Sequence, residues 1–184
     1  GLLGVIGSGV LAICTAACAL AAGWQVHLVV RDAHRACELR RVLRVAIVRR
    51  AEDLPACDAV IDAASGGDDL PVRHALSSVR DGGTVLVQNA YDPGVTLSVP
   101  MRDMFRRSIT IRGSFSYCRA SGYDDFRDGL RLLATAAEWP ALLTKARYRL
   151  PELPLGLADL DSTTGPRPFR IVLAIDSRTE GRTL

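Results

Sequence analysis

Two glycines near the start of the chain constrain its fold more than any other feature. They belong to the sequence Gly7-Ser8-Gly9-Val10-Leu11-Ala12 (G-x-G-x-x-A), which follows the apolar run 2–6 and precedes an alanine-rich segment. The first glycine permits a tight turn from strand to helix, the second lets a ligand approach the backbone, and the small third residue allows close helix packing. The first N–H groups of the helix then face an anion. The pattern predicts a turn that holds the pyrophosphate of a dinucleotide between Gly7 and Leu11.

The first 30 residues contain no Asp, Glu, Lys or Arg, a composition that is also typical of membrane spans and secretory signals. However, no basic segment precedes the run, and Gly23 provides a helix C-cap just before the β-type run 26–30. Strands of a parallel sheet that is covered on both faces are apolar on both faces. A buried sheet therefore explains the missing charge, and we expect no membrane partner.

Charge and cysteine content indicate the class of protein. The formal net charge of +3 is small for 184 residues and the arginines are dispersed, so we expect no nucleic-acid partner. The five cysteines are odd in number and include no C-x-x-C: Cys14, Cys18, Cys37, Cys57 and Cys118. They are typical of reduced, buried packing residues, and we expect a cytoplasmic protein.

Strand-like and helix-like segments alternate along the chain. Strands are predicted over residues 2–6, 25–30, 45–48, 58–63, 84–87, 109–111 and 169–175, and helices over 10–22, 70–79 and 123–138, with a further helix around 36–43. Asp81-Gly82-Gly83 is predicted to turn into the fifth strand. The alternation predicts an α/β fold, a doubly wound parallel sheet of the Rossmann type.

Several segments together resemble the cofactor half of the medium-chain dehydrogenase/reductases, the zinc-type alcohol dehydrogenase superfamily. They are Val5-Ile6-Gly7-Ser8-Gly9, residues 58–67 (D-A-V-I-D-A-A-S-G-G) and residues 80–85 (R-D-G-G-T-V). Residues 111–115 resemble the strand that leads out of that domain, and 150–160 and 170–173 the tail that returns to the catalytic domain. The resemblance covers nearly the whole chain. It implies a dinucleotide-binding domain over 1–112 and a C-terminal extension over 113–184 that belongs to the catalytic domain.

The resemblance also implies where the cofactor lies. Ala63 and Ala64 would lie beside its ribose and nicotinamide, and three residues would approach the nicotinamide mostly through their backbone: Val87, Asn89 and Arg112. Arg170 falls where the family often has a basic residue near the pyrophosphate. An equally good interpretation of Arg170 is a solvated residue that flanks an edge strand.

The end of the second strand distinguishes NADP from NAD. An acidic residue there would bind the ribose 2′-hydroxyl and repel a 2′-phosphate. By spacing, this position falls at Val30 or Arg31, and Arg31 with Arg35 would bind a phosphate through charge-assisted hydrogen bonds. Placing Asp32 at the acidic position would instead put Glu38 on the buried face of the next helix. NADP is therefore the predicted cofactor, and NAD with Asp32 on the ribose is the alternative.

No catalytic residue or metal ligand is predicted in this chain. The family's catalytic zinc is bound by a domain that precedes the glycine turn, so zinc is expected only through such a domain. The pairs Cys14/Cys18 and His34/Cys37 have no third ligand nearby in sequence. Neither Tyr-x-x-x-Lys nor G-x-x-x-x-G-K-[ST] occurs, which excludes a short-chain dehydrogenase and a P-loop. Asp62 is predicted to be structural, bonded to nearby backbone.

The chain begins with Gly and its first strand starts at once, so we expect that the natural N-terminal portion is missing. The parent enzyme is expected to transfer hydride between NADP(H) or NAD(H) and an alcohol or carbonyl substrate. The chain alone would bind cofactor without turnover. By analogy with the family, a homodimer or tetramer is expected. The alternative is a non-catalytic module that senses NAD(P).

Overall fold

The structure is a computed structural model that describes residues 1–65, 67–117, 119–120, 122–136, 138–162 and 167–175. It divides into two compact units, Gly1–Thr135 and Ala136–Leu184. The domain boundary expected after residue 112 stays a prediction about the parent protein.

A six-stranded parallel sheet forms the centre of the first unit. Its strands are β1 (Leu2–Ile6), β2 (Gln25–Val29), β3 (Ala46–Val48), β4 (Cys57–Asp62), β5 (Val79–Val87) and β6 (Thr110–Gly113), in the spatial order β3-β2-β1-β4-β5-β6. Every neighbouring pair is parallel. This is the strand order of a doubly wound dinucleotide-binding sheet, so the predicted fold class is confirmed.

Helices connect the strands of this sheet. They are α1 (Val10–Ala21), α2 (Ala33–Val42), α3 (Leu70–Ser78) and α4 (Met101–Arg107), and α5 (Asp125–Thr135) follows a short hairpin of β7 (Arg119–Ala120) and β8 (Tyr123–Asp124). Predicted helices 10–22 and 70–79 are present within a residue of their expected ends. The predicted helix 123–138 is shorter than expected, and its residue 137 lies outside the described residues.

The central strands are buried on both faces, as their composition indicated. Val5, Leu28, Val60 and Val85 are fully buried, and so is Ile13 of α1. Burying one such side chain stabilises the fold by roughly 1.5–3 kcal/mol. The apolar first segment is therefore core sheet and helix, and no helix in the described ranges is long and apolar enough to span a membrane.

The start of β5 differs from the prediction. Asp81-Gly82-Gly83 was expected to be a turn before the strand, but the strand already begins at Val79. The pairing register shifts there, because Cys57 pairs with Val79 whereas Ala59 pairs with Thr84. A Cβ at Gly83 would lie 2.5 Å from Val79 Cγ2 and 2.8 Å from the Asp58 carbonyl oxygen. The glycine pair thus forms an irregularity inside the strand, where only glycine fits.

The second unit is small. It contains α6 (Trp139–Leu143), β9 (Ala146–Arg149), α7 (Leu153–Asp161) and β10 (Ile171–Ala174), and β9 pairs in parallel with β10. The Tyr148 hydroxyl donates a hydrogen bond to Asp159 and so ties β9 to α7. That bond raises the pKa of Tyr148. The strand expected over 169–175 is present as β10, whereas β9 and α7 were not predicted.

Candidate functional site

The strand order reverses between β1 and β4. The chain leaves β1 towards β2 on one side, and β4 occupies the other side of β1. In open α/β sheets, ligands bind outside the carboxyl ends of the strands at such a point. The glycine turn follows β1 and residues 63–64 follow β4, so the fold brings the two segments to the same edge.

The glycine turn lies directly against the segment that follows β4. Gly7 has a φ of +129°, and a Cβ there would lie 2.5 Å from the Ala63 carbonyl oxygen and 3.0 Å from the Ala64 nitrogen. The Ala63 N–H donates to the Ile6 carbonyl at 2.9 Å. Gly7 is therefore required both by its backbone conformation and by the close approach of a second segment.

The N-terminus of α1 is open. Gly9 is its N-cap, and no side chain among the described residues caps this end. A Cβ at Gly9 would meet no heavy atom within 4 Å. Leu11, in the first turn, is 46% exposed. Helix N–H groups at this end are available to an anion because the helix itself provides no acceptors for them.

Arg35 connects the second helix to the glycine turn. Its Nη1 donates to the Ser8 carbonyl at 3.3 Å, and its backbone N–H donates to Asp32 Oδ1 at 2.6 Å. Asp32 is thus the N-cap of α2. The Arg31 side chain is exposed, and its carbonyl accepts a hydrogen bond from Arg49. Of the two arginines predicted to bind the 2′-phosphate, Arg31 and Arg35, the structure brings Arg35 to the turn.

The helix register agrees with the prediction for α2. Ala36 and Leu39 are buried. The Glu38 side chain is 24% exposed, and its Oε2 lies 3.7 Å from His34 Nδ1. The carboxylate is therefore outside the buried stripe of the helix.

A buried carboxylate lies at the end of β4. Asp62 is fully buried; its Oδ1 accepts from the Ala64 N–H at 3.1 Å and its Oδ2 from the Tyr91 hydroxyl at 2.5 Å. Burial, followed by the bond to Asp62, raises the pKa of Tyr91 to about 12. The predicted bond to nearby backbone is present. Tyr91 was missed because it lies 29 residues further along in a loop with no periodic pattern.

The end of β5 is held by contacts that the sequence did not indicate. The Gln88 N–H donates to the Asp62 carbonyl at 2.9 Å, and Gln88 Oε1 accepts from the Thr15 hydroxyl of α1 at 2.9 Å. Val87 ends β5, and Asn89 follows it half-buried. Arg112 pairs with Leu86 across β5 and β6 and is exposed. Because Thr15 and Gln88 are far apart in sequence, only the fold reveals their contact.

The remaining predictions concern Arg170, a metal site and the cysteines. Arg170 belongs to the second unit, where it is exposed just before β10, and both interpretations of it remain open. No group of three His, Cys, Asp or Glu residues in the described part could hold a metal ion. Burial raises the pKa of Cys57 to about 11, which makes this thiol a poor nucleophile. Of the four described cysteines, Cys57 is buried, but Cys18 and Cys37 are exposed, so the prediction of burial was wrong for those two. Cys118 lies outside the described residues.

Comparison with known proteins shows likeness of structure only. No protein-family model matches the sequence, and no curated protein matches it. Among solved structures, the fold is similar to that of a Sinorhizobium meliloti protein assigned as a zinc-binding dehydrogenase and bound to NADP. The TM-score is 0.76 at 20% identity, over 94% of this chain and 52% of that one.

Two further dehydrogenases are similar to the same extent. For 2R,3R-butanediol dehydrogenase from Bacillus subtilis the TM-score is 0.76 at 18% identity, over 95% of this chain and 50% of that one. For benzyl alcohol dehydrogenase from Acinetobacter calcoaceticus the TM-score is 0.76 at 15% identity, over 95% and 49%. The chain spans about half the length of these enzymes. The resemblance to the zinc-type dehydrogenases is thus confirmed for the fold alone, which is Rossmann-like.

Proposed function

We propose that this chain binds NADP(H) as the cofactor-binding part of an NAD(P)-dependent oxidoreductase. When bound, the nicotinamide supplies or accepts a hydride in exchange with an alcohol or carbonyl substrate. The observation that carries the proposal is the contact of Gly7 with Ala63, beside an α1 N-terminus left open at Gly9.

The glycine turn fits a pyrophosphate. The space at Gly9 would be filled by a side chain and is open, and the uncapped N–H groups of α1 are aligned with the positive end of its dipole. Hydrogen bonds to a charged group contribute about 1.5–3 kcal/mol each. In this account the backbone from Gly7 to Leu11 binds the phosphates, without any charged side chain.

NADP is favoured over NAD by the contacts at the start of α2. Arg35 already reaches Ser8 in the turn, and the Asp32 carboxylate is engaged as a helix cap. We infer that Arg35, joined by the exposed Arg31, binds the 2′-phosphate. The similar Sinorhizobium meliloti protein was crystallised with NADP, which supports the same choice.

The nicotinamide half is proposed to lie along the ends of β4 and β5. Ala63 and Ala64 would line its ribose, and the backbone of Val87 and Asn89 would face the ring, with Arg112 near the end of β6. These segments are adjacent because β4 and β5 are neighbours in the sheet. Their part is to bind and orient the ring.

The similar dehydrogenases are about twice as long as this chain. We assign substrate binding, and any zinc, to residues that correspond to the half of those enzymes that this chain does not span. The described residues provide no metal-binding group of three ligands. We therefore expect cofactor binding by this chain without turnover. A cytoplasmic location, a small alcohol or carbonyl substrate and a dimeric or tetrameric parent enzyme belong to the same proposal.

The experiment is a calorimetric titration of this chain with NADP and with NAD. We expect tighter binding of NADP, and in Arg35→Gln a loss of about ten- to a hundredfold in the NADP-over-NAD preference, the equivalent of one lost charged hydrogen bond. Arg40→Gln, an equal charge change on the exposed side of α2, should leave the preference unchanged. Tighter NAD binding would overturn the choice of NADP, and no heat with either would overturn the function.

A further inference from the structure

Asp62 holds the loop after β5 at two points. Its backbone carbonyl accepts from the Gln88 N–H at 2.9 Å, and its side-chain Oδ2 accepts from the Tyr91 hydroxyl at 2.5 Å. Asn89 lies between these two attachment points. Asn89 is therefore held between two contacts of the same buried residue of β4.

The same carboxylate also holds the segment after β4. Asp62 Oδ1 accepts from the Ala64 N–H at 3.1 Å, and the adjacent Ala63 carbonyl is the atom that a Cβ at Gly7 would meet. A continuous series of contacts thus runs from Tyr91 through Asp62 and residues 63–64 to the glycine turn. A fully buried carboxylate with hydrogen bonds to both oxygens has little freedom to reorient.

Tyr91 is the only side-chain hydroxyl that the described part of the chain brings to Asp62. Its ring packs at the margin of the apolar core under β4 and β5, which fixes the direction of the hydroxyl. The hydrogen bond joins a fully buried carboxylate to a half-buried hydroxyl, and low solvation makes it stronger than the same bond at an exposed surface. Removing the hydroxyl would leave Asp62 Oδ2 buried without this donor.

We propose that Tyr91 is a positioning residue for the nicotinamide half of the cofactor site, acting through Asp62 on residues 63–64 and 88–90. This inference rests on the proposed dinucleotide-binding function. It assigns no contact between Tyr91 and the ligand. The adenosine half, on the side of Arg35, lies outside the segments that Asp62 holds.

The test compares a whole dinucleotide with its adenosine half. Tyr91→Phe keeps the ring and removes the hydroxyl. We expect its affinity for NADP to fall about three- to tenfold, the equivalent of one hydrogen bond, and its affinity for adenosine 2′,5′-bisphosphate to stay unchanged. Tyr148→Phe is the matched control, since it removes a tyrosine–aspartate bond in the second unit; both affinities should be unchanged.

A measurement on the unaltered chain keeps the inference testable should Tyr91→Phe fail to fold. In ¹H–¹⁵N spectra, the amide signals of Ala64, Gln88 and Asn89 should shift together on addition of NADP and stay in place with adenosine 2′,5′-bisphosphate. Equal losses of affinity for both ligands in Tyr91→Phe, no loss for either, or amide signals that do not respond to NADP would overturn the positioning role. If the unaltered chain binds neither ligand, the proposed function itself fails and the inference with it.

Discussion

Some residues at the carboxyl edge of the sheet are positioned by contacts with their neighbours in sequence, and others by contacts with residues far away in the chain. The need for glycine at Gly7 is readable from the local pattern, because a strand that turns into a helix at once requires unusual backbone angles. The contact of Tyr91 with Asp62 is not readable, because nothing in a loop sequence indicates which buried carboxylate it will meet. The sequence thus predicted the backbone of the glycine turn well and the contacts that hold the loop after β5 poorly.

Asp58 makes the stability of the first unit depend on pH. Its Oδ2 accepts from the Leu2 N–H at 2.6 Å and its Oδ1 lies 2.5 Å from Arg80 Nε. The Leu2 hydrogen bond, ahead of the charge of Arg80, lowers the pKa of Asp58 below its ordinary 3.8. Since the pKa is lower in the folded state, the stabilisation is present above the unfolded value and is lost as pH falls through the folded value.

We therefore predict that Asp58→Asn makes the free energy of unfolding depend less on pH in the acid range. The free energy of unfolding, measured in urea from pH 7 down to pH 3, should fall less in the variant than in the unaltered chain. The two should be furthest apart at neutral pH. Parallel curves over this range would show that Asp58 titrates alike in the folded and unfolded chain, against this account.

At the scale of elements, burial decides what the sequence reveals. β1 and β4 were predicted because strands buried on both faces have a distinctive apolar composition. α4 was missed because none of its residues is buried, so it has no apolar stripe. β9 was missed because it is four residues long and alternates half-buried with exposed positions. The glycine pair at 82–83 was taken for a turn because a bulge and a turn require the same residue type.

Arg107 explains how α4 is held without a buried face. Its Nε donates to Asp81 at 2.8 Å, its Nη1 to the Leu76 carbonyl at 3.0 Å, and its Nη2 to the Val79 carbonyl. These contacts join the end of α4 to the end of α3 and the start of β5. A guanidinium presents five N–H donors in a fixed plane, so it can reach acceptors on several segments at once.

We predict that Arg107→Ala lowers the free energy of unfolding by about 1–2 kcal/mol, since charged hydrogen bonds to half-buried carbonyls are lost. Arg106→Ala, a change of the same charge at the exposed neighbour, should alter it by less than about 0.5 kcal/mol. Urea denaturation of both variants provides the comparison. Equal effects would mean that α4 is held by something other than the Arg107 contacts.

At the scale of the whole molecule, the fold was predictable from the order of strand-like and helix-like segments along the chain. A strand order that reverses at β1 and β4 follows from alternating strands and helices with right-handed crossovers, and the similar dehydrogenases share it over about half their length.

The central claim is that the backbone at the start of α1 binds a dinucleotide pyrophosphate. Gly9→Asp tests it most directly, because aspartate is a favourable N-cap and its carboxylate would enter the open space proposed for the phosphates. Gly129→Asp adds the same charge at another open glycine, in α5. Calorimetric titration with NADP should show binding by the unaltered chain and by Gly129→Asp, and a loss of more than about tenfold, or 1.4 kcal/mol, in Gly9→Asp. Unchanged binding in a folded Gly9→Asp variant would contradict the account.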